Sequence, residues 1–95
     1  MCAPKLYAKE GYIFTTMYYV YLLRSEKFDQ VYTGMTKDLK ARLTAHNSGQ
    51  SPHTKKFKPW KLVSYVAFEQ EQAAREFEAY LKTGSGIAFA RKHLL

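Results

Sequence analysis

The run Tyr18 to Arg24, Tyr-Tyr-Val-Tyr-Leu-Leu-Arg, constrains this chain most, because a second β-prone run, Gln30 to Gly34, follows almost at once. Consecutive aromatic and branched residues give a strand that is buried on both faces or nearly so. Ser25 to Asp29 is polar and turn-like. A connection that short joins antiparallel neighbours as a β-hairpin. Gly34 is expected to break the second strand. The hairpin leaves apolar faces that later segments must cover.

Those segments are legible. Thr36 or Asp38 can cap a helix running to about Asn47, with Leu39 and Leu43 as its apolar stripe. The loop from Asn47 to Pro52 ends that helix, and a basic stretch with His53, Lys55, Lys56 and Lys58 follows as far as Pro59. Trp60 to Phe68 reads as a third strand. A second helix spans about Gln70 to Lys82, with Ala73, Ala74, Phe77, Tyr80 and Leu81 on its buried face. Gly84-Ser85-Gly86 is expected to stop it. A last short helix, Ile87 to about Leu94, carries Arg91 and Lys92. The predicted fold is α+β: a three-stranded antiparallel sheet flanked by helices, in the order β-β-α-β-α-α.

Composition narrows the function. At 95 residues the chain suits one domain. Residues 1–16 read as a flexible N-terminal extension and 17–95 as the domain proper. A hydrophobic fraction of 46% excludes an intrinsically disordered chain. One cysteine, Cys2, excludes an internal disulfide framework and a cysteine zinc cluster, and fits a cytoplasmic location. The uncharged stretch between Gly11 and Arg24 is too short and too polar to span a bilayer, and Lys5, Lys9 and Glu10 interrupt any secretory signal. Fifteen Lys and Arg against eight Asp and Glu give a net charge of +7, which favours an anionic partner, nucleic acid above all. Only Lys5, Lys9 and Glu10 of these charges lie in 1–16, so the basic balance belongs to the domain.

Several side chains could carry chemistry. Arg42 and His46 follow Leu39 by three and seven residues, on or beside the apolar stripe, where a charged group is partly desolvated. Two cationic donors one turn apart suit a phosphate; a snorkelling arginine and a satisfied core histidine are the bland alternatives. Glu76 and Glu78 flank Phe77 on the second helix, and helical geometry does not choose between them. A carboxylate beside a cationic phosphate site calls for a divalent metal, and a single carboxylate suits Mg²⁺. Tyr21 and Tyr32 could face each other on paired strands. The lysines of 55–61, interleaved with Phe57 and Trp60, could track a phosphodiester backbone and offer stacking, or could be a solvated loop with two core aromatics.

Together these positions resemble the GIY-YIG nuclease superfamily, in its small stand-alone bacterial subgroup. Tyr19-Val20-Tyr21 is similar to the first motif and Tyr32-Thr33-Gly34 to the second, with residues 22–31 between them. Arg42 falls where the family has its helix arginine, eight residues after Gly34. The stretches Asp38 to Asn47, Ser51 to Thr54, Lys58 to Leu62 and Glu78 to Lys82 resemble the subgroup as well. Tyr19 replaces the first motif's glycine and Thr33 the second motif's isoleucine, as in the subgroup. The family's late asparagine has no counterpart in 84–95.

The resemblance implies a metal-dependent endonuclease that hydrolyses phosphodiester bonds in DNA. It would be structure-directed or weakly sequence-specific and would act in DNA repair or recombination. Glu78, chosen over Glu76, would hold one Mg²⁺ or Mn²⁺. Arg42 would neutralise phosphate charge, and Tyr21 or Tyr32 would orient or deprotonate water. His46 would relay a proton or fix Arg42. His53, Lys55, Lys56, Lys58, Arg91 and Lys92 are the expected nucleic-acid contacts. DNA is the expected partner, with RNA open, and neither membrane nor small-molecule cofactor is expected. The competing function is a nucleic-acid-binding module that keeps this fold but cleaves little.

Overall fold

A computed structural model describes residues 16–95. Apart from Thr16, the expected extension, with Cys2, lies outside them. The elements are β1 (Tyr18–Ser25), β2 (Val31–Thr36), α1 (Leu39–Asn47), a 3₁₀ turn (Lys55–Phe57), β3 (Trp60–Phe68), α2 (Glu71–Leu81) and α3 (Gly84–His93). The order is the β-β-α-β-α-α expected. The strands form one antiparallel sheet in the order β2-β1-β3. No helix among the described residues is long and apolar enough to cross a membrane.

β1 is the central strand, which is why its sequence is apolar at successive positions: Val20, Tyr21, Leu22 and Leu23 are all buried. Alternate side chains serve two cores. Val20 and Leu22 pack with Ala74, Leu81 and Ala90 under α2 and α3. Tyr21 and Leu23 pack with Trp60 and with Leu39 and Leu43 of α1. The sheet is thus sandwiched, with α1 on one face and α2 and α3 on the other. A register shift between Leu22 and Leu23 leaves Val63 as an extra residue of β3, a β-bulge.

The glycines expected to end elements do otherwise. Gly34 lies inside β2, buried and paired with Tyr21. A Cβ there would stand 2.5 Å from the Tyr21 hydroxyl and 2.9 Å from the Tyr32 ring. Glycine admits the tyrosine rather than breaking the strand. Gly84-Ser85-Gly86 is the first turn of α3, not a linker: Thr83 caps it by accepting from the Gly86 N–H at 3.1 Å. Gly86 is buried, and a Cβ on it would collide with the Tyr80 carbonyl, so the residue lets α3 start directly against the end of α2. Tyr80, expected in the core, is 39% exposed and packs instead against Phe77 and Phe89.

Asp38, rather than Thr36, caps α1, accepting from the Ala41 N–H at 3.0 Å. At the other end Asn47 clasps the start of β3: its amide donates to the Trp60 carbonyl and its carbonyl accepts from the Trp60 N–H. Ser25 closes the hairpin tip onto the 3₁₀ turn by donating to the Phe57 carbonyl at 2.6 Å.

Candidate active site

The site is built on the face of β1 that α1 covers. The expected face-to-face pairing of Tyr21 and Tyr32 is not found: the hairpin register places Tyr21 opposite Gly34 and Tyr32 opposite Leu23. They are diagonal neighbours on one face, with ring centroids 6.2 Å apart. The gap over Gly34 is what the Tyr21 ring fills.

His46 reaches this pair from α1. It is 1% exposed, and both ring nitrogens are engaged. Nε2 lies 3.0 Å from the Tyr21 hydroxyl and Nδ1 lies 2.7 Å from Thr54 Oγ1. The Tyr32 ring packs on the imidazole at 4.8 Å. Burial and the nearby Arg42 charge hold the His46 pKa below its usual value, so the ring is neutral at pH 7. The expected pair of cations is therefore one cation and one neutral imidazole.

Arg42 is exposed rather than desolvated at the stripe. With Ala45, His46, Gln50 and Ser51 it lines a cleft of about 240 Å³. Burial raises the Tyr21 pKa; hydrogen bonding to Arg42 lowers it, and the neighbouring Tyr32 and Glu78 raise it. The net shift is upward, so the Tyr21 phenol keeps its proton at neutral pH. The Tyr21 hydroxyl shares one hydrogen bond with the imidazole Nε2, and Nδ1 shares another with the Thr54 hydroxyl.

Glu78 belongs to α2, on the opposite layer, and is the smallest of the influences that raise the Tyr21 pKa. Its side chain is 25% exposed and pairs with Lys82 at 3.0 Å. Glu76 is exposed and accepts from Gln72 one turn earlier. Of the two carboxylates left open by helical spacing, Glu78 is the less exposed.

The other expected contacts divide. His53, Lys55, Lys56 and Lys58 are exposed and flank Thr54, so they stand beside the His46 cleft. Trp60 is buried, and its indole N–H donates to the Thr54 carbonyl at 2.9 Å; Phe57 packs on it. These two rings are core, not a stacking surface. Arg91 and Lys92 are exposed on α3, in the other layer. Arg91 borders a separate apolar hollow of about 450 Å³ lined by Leu22, Val31, Leu81 and Ile87. Sequence reasoning missed Thr54 as a site residue. It appeared only within the Ser51 to Thr54 stretch, and nothing local marks a threonine that meets a histidine eight positions earlier.

Comparison with known proteins bears on the same positions. The family model described as the GIY-YIG catalytic domain matches residues 17–87, a span that holds Tyr21, Tyr32, Arg42, His46, Thr54 and Glu78. A UPF0213 protein of Clostridium perfringens is 40% identical over 67 residues, covering 70% of this chain and 71% of that protein. A UPF0213 protein of Streptococcus pyogenes serotype M3 is 39% identical over 66 residues, covering 67% and 70%. Among solved structures, the solution NMR structure of the UPF0213 protein BH0048 from Bacillus halodurans matches with a TM-score of 0.50 and 28% identity, over 80% of this chain and 83% of that one. A family match that runs from β1 into α3, joined by relatives that share this much sequence over most of their own length, makes this chain a member of the GIY-YIG catalytic-domain family.

Proposed function

We propose that this protein is a metal-dependent endonuclease that hydrolyses phosphodiester bonds in DNA, directed by structure more than by sequence. The observation that carries the proposal is the Tyr21 hydroxyl, hydrogen-bonded to a neutral His46 that lines one cleft with the cationic Arg42.

The donor set bears on the metal. Among the described residues there is no cluster of three or more His, Cys, Asp or Glu side chains, so these residues supply no complete cage. One carboxylate fits a hard ion that keeps several waters and takes its remaining oxygens from phosphate, as Mg²⁺ or Mn²⁺ does. Glu78 would hold it. The Lys82 partner is an i,i+4 pair with the lysine 57% exposed, a weak and exchangeable contact. When bound, the ion supplies Lewis-acid polarisation of a phosphate oxygen.

The chain's own residues do the rest. Arg42 holds the phosphate at the mouth of the cleft and offsets the charge that grows in the transition state. Tyr21 orients the attacking water through its oxygen. As the water loses a proton to that oxygen, the phenol proton passes to His46 Nε2. His46 then carries a positive charge, its other nitrogen fixed by Thr54. As the water oxygen bonds to phosphorus, the bond to the leaving strand's oxygen breaks and that oxygen takes a proton from solvent. His53, Lys55, Lys56 and Lys58 extend the positive surface along the strand. Lysine and arginine around the cleft suit phosphate rather than base edges, which supports structure-directed recognition.

The test is a cleavage assay with residues 1–95 and Glu78→Ala on labelled duplex, single-stranded and branched DNA and on RNA, with Mg²⁺, Mn²⁺ or EDTA. Metal-dependent cutting by the wild type that Glu78→Ala lacks is the expected outcome. No cutting by either, with binding retained in EDTA, would make the protein a binding module. Cutting that persists in Glu78→Ala would remove Glu78 as the ligand.

A further inference from the structure

We propose that Tyr65, backed by Tyr19, is a stacking platform for a nucleobase of the bound strand, a reading that rests on the proposed nuclease function and names what its substrate must offer. α1 covers only part of its sheet face, packing over Leu23, Leu62 and Trp60. Beyond it, among the described residues, no helix covers the face. Tyr65 is 52% exposed, and Ala67 beside it on β3 is exposed too. The Tyr19 ring meets the Tyr65 ring edge-on, with centroids 5.5 Å apart at 75°. That contact fixes the orientation of a ring that solvent would otherwise leave free.

A single exposed tyrosine would mean little. This one is the register partner of Tyr21 across β1 and β3. Their Cα atoms are therefore about 5 Å apart, one interstrand spacing. The other exposed aromatics are placed differently. Phe28 packs on Phe57 at the hairpin tip, and Tyr80 and Phe89 pack on Phe77 in the far layer. Among the exposed aromatics of the described residues, Tyr65 alone continues the sheet face that holds the Tyr21 hydroxyl.

The occupant follows from that continuity. A nucleotide whose phosphate sits at Arg42 and Tyr21 must place its base to one side. One side holds α1 and the lysine segment. The other is the open sheet, where an aromatic ring offers a flat, uncharged surface that every base matches. Sheet tyrosines that stack bases are a general solution for strands with exposed bases. A base inside a duplex has both faces taken by its neighbours. The platform therefore selects a base that is unpaired, flipped or at a strand end.

The experiment measures binding of fluorescein-labelled single-stranded DNA in EDTA, by anisotropy, to wild type, Tyr65→Leu and Tyr65→Trp. A strand of equal length built from abasic units is the control. Tyr65→Leu should weaken binding of the ordinary strand by roughly tenfold, the scale of one lost stack, and leave the abasic strand unchanged. Tyr65→Trp should keep the affinity, and its added indole emission should be quenched by the ordinary strand alone. That second signal does not depend on Tyr65→Leu folding. Equal binding by wild type and Tyr65→Leu, an equal loss on the abasic strand, an unquenched indole, or no binding by the wild type would each overturn the platform. Metal-dependent cleavage is scored in parallel. Cleavage without Tyr65-dependent binding removes the platform and leaves the nuclease. Tyr65-dependent binding without cleavage does the reverse.

Discussion

His46 is an ordinary-looking helix residue whose role is decided by its two hydrogen bonds and its lost charge. Its pKa is lowered in the fold from the usual 6.5. Between that value and the lower native one, the unfolded chain takes up a proton that the native protein refuses. Stability should therefore fall as pH drops below about 6.5, by at most about 1.4 kcal/mol per pH unit, and should not respond to this group at higher pH. Urea unfolding between about pH 7.5 and pH 5 should show a shallower decline in His46→Gln than in wild type. An equal slope would mean that His46 is charged in the native state. Gly34→Ala tests the neighbouring constraint. The added methyl displaces the Tyr21 hydroxyl from His46, and a shift on the scale of an ångström should lower turnover by about 10²-fold while the fold persists. Circular dichroism and single-turnover cleavage separate the two effects. Arg42→Ala should lower turnover by roughly 10²-fold or more with little change in stability, since the side chain is exposed.

Helices and strands were legible where local pattern decides them. The apolar run of β1, the Asp38 cap and the amphipathic α2 are written in neighbouring residues, and the element order follows from them. The departures share one cause. Gly34 and Gly86 look like breakers because glycine is common at breaks, yet each is required by a close approach from elsewhere: a tyrosine ring in one case, a backbone carbonyl in the other. Thr54 likewise meets His46 only after the loop folds back. Such pairings depend on register and crossing, which local spacing does not carry. The α2–α3 junction makes the point measurable. Gly86→Ala forces α3 off the Tyr80 carbonyl and should cost about 1–3 kcal/mol. A thermal melt would read this as roughly 4–8 °C for each kcal/mol in a domain of this size. Gly84→Ala, with open space around it, should melt close to wild type.

For the molecule as a whole, the sheet divides the positive charge between two surfaces. His53, Lys55, Lys56 and Lys58 lie beside the cleft, while Arg91 and Lys92 lie on α3 in the far layer. The net charge of +7 alone could not show that division. If the cleft faces the strand, replacing Lys55, Lys56 and Lys58 with glutamine should reduce the slope of log affinity against log salt by about 2 to 3. Replacing Arg91 and Lys92 should leave it unchanged. A larger effect from α3 would move the binding surface to the other layer. The basic segment has one more property. Asn47 grips both backbone groups of Trp60, so the chain between them leaves and re-enters the domain at fixed points. Within that span Thr54 is tied to His46 and to the Trp60 indole, Phe57 is tied to Ser25 and the core, and Gln50 and Ser51 line the cleft. The exposed lysines between these anchors are in effect an exchangeable lining. Their charge can be redrawn, and with it the nucleic acid the cleft greets, while the reacting groups stay where they are.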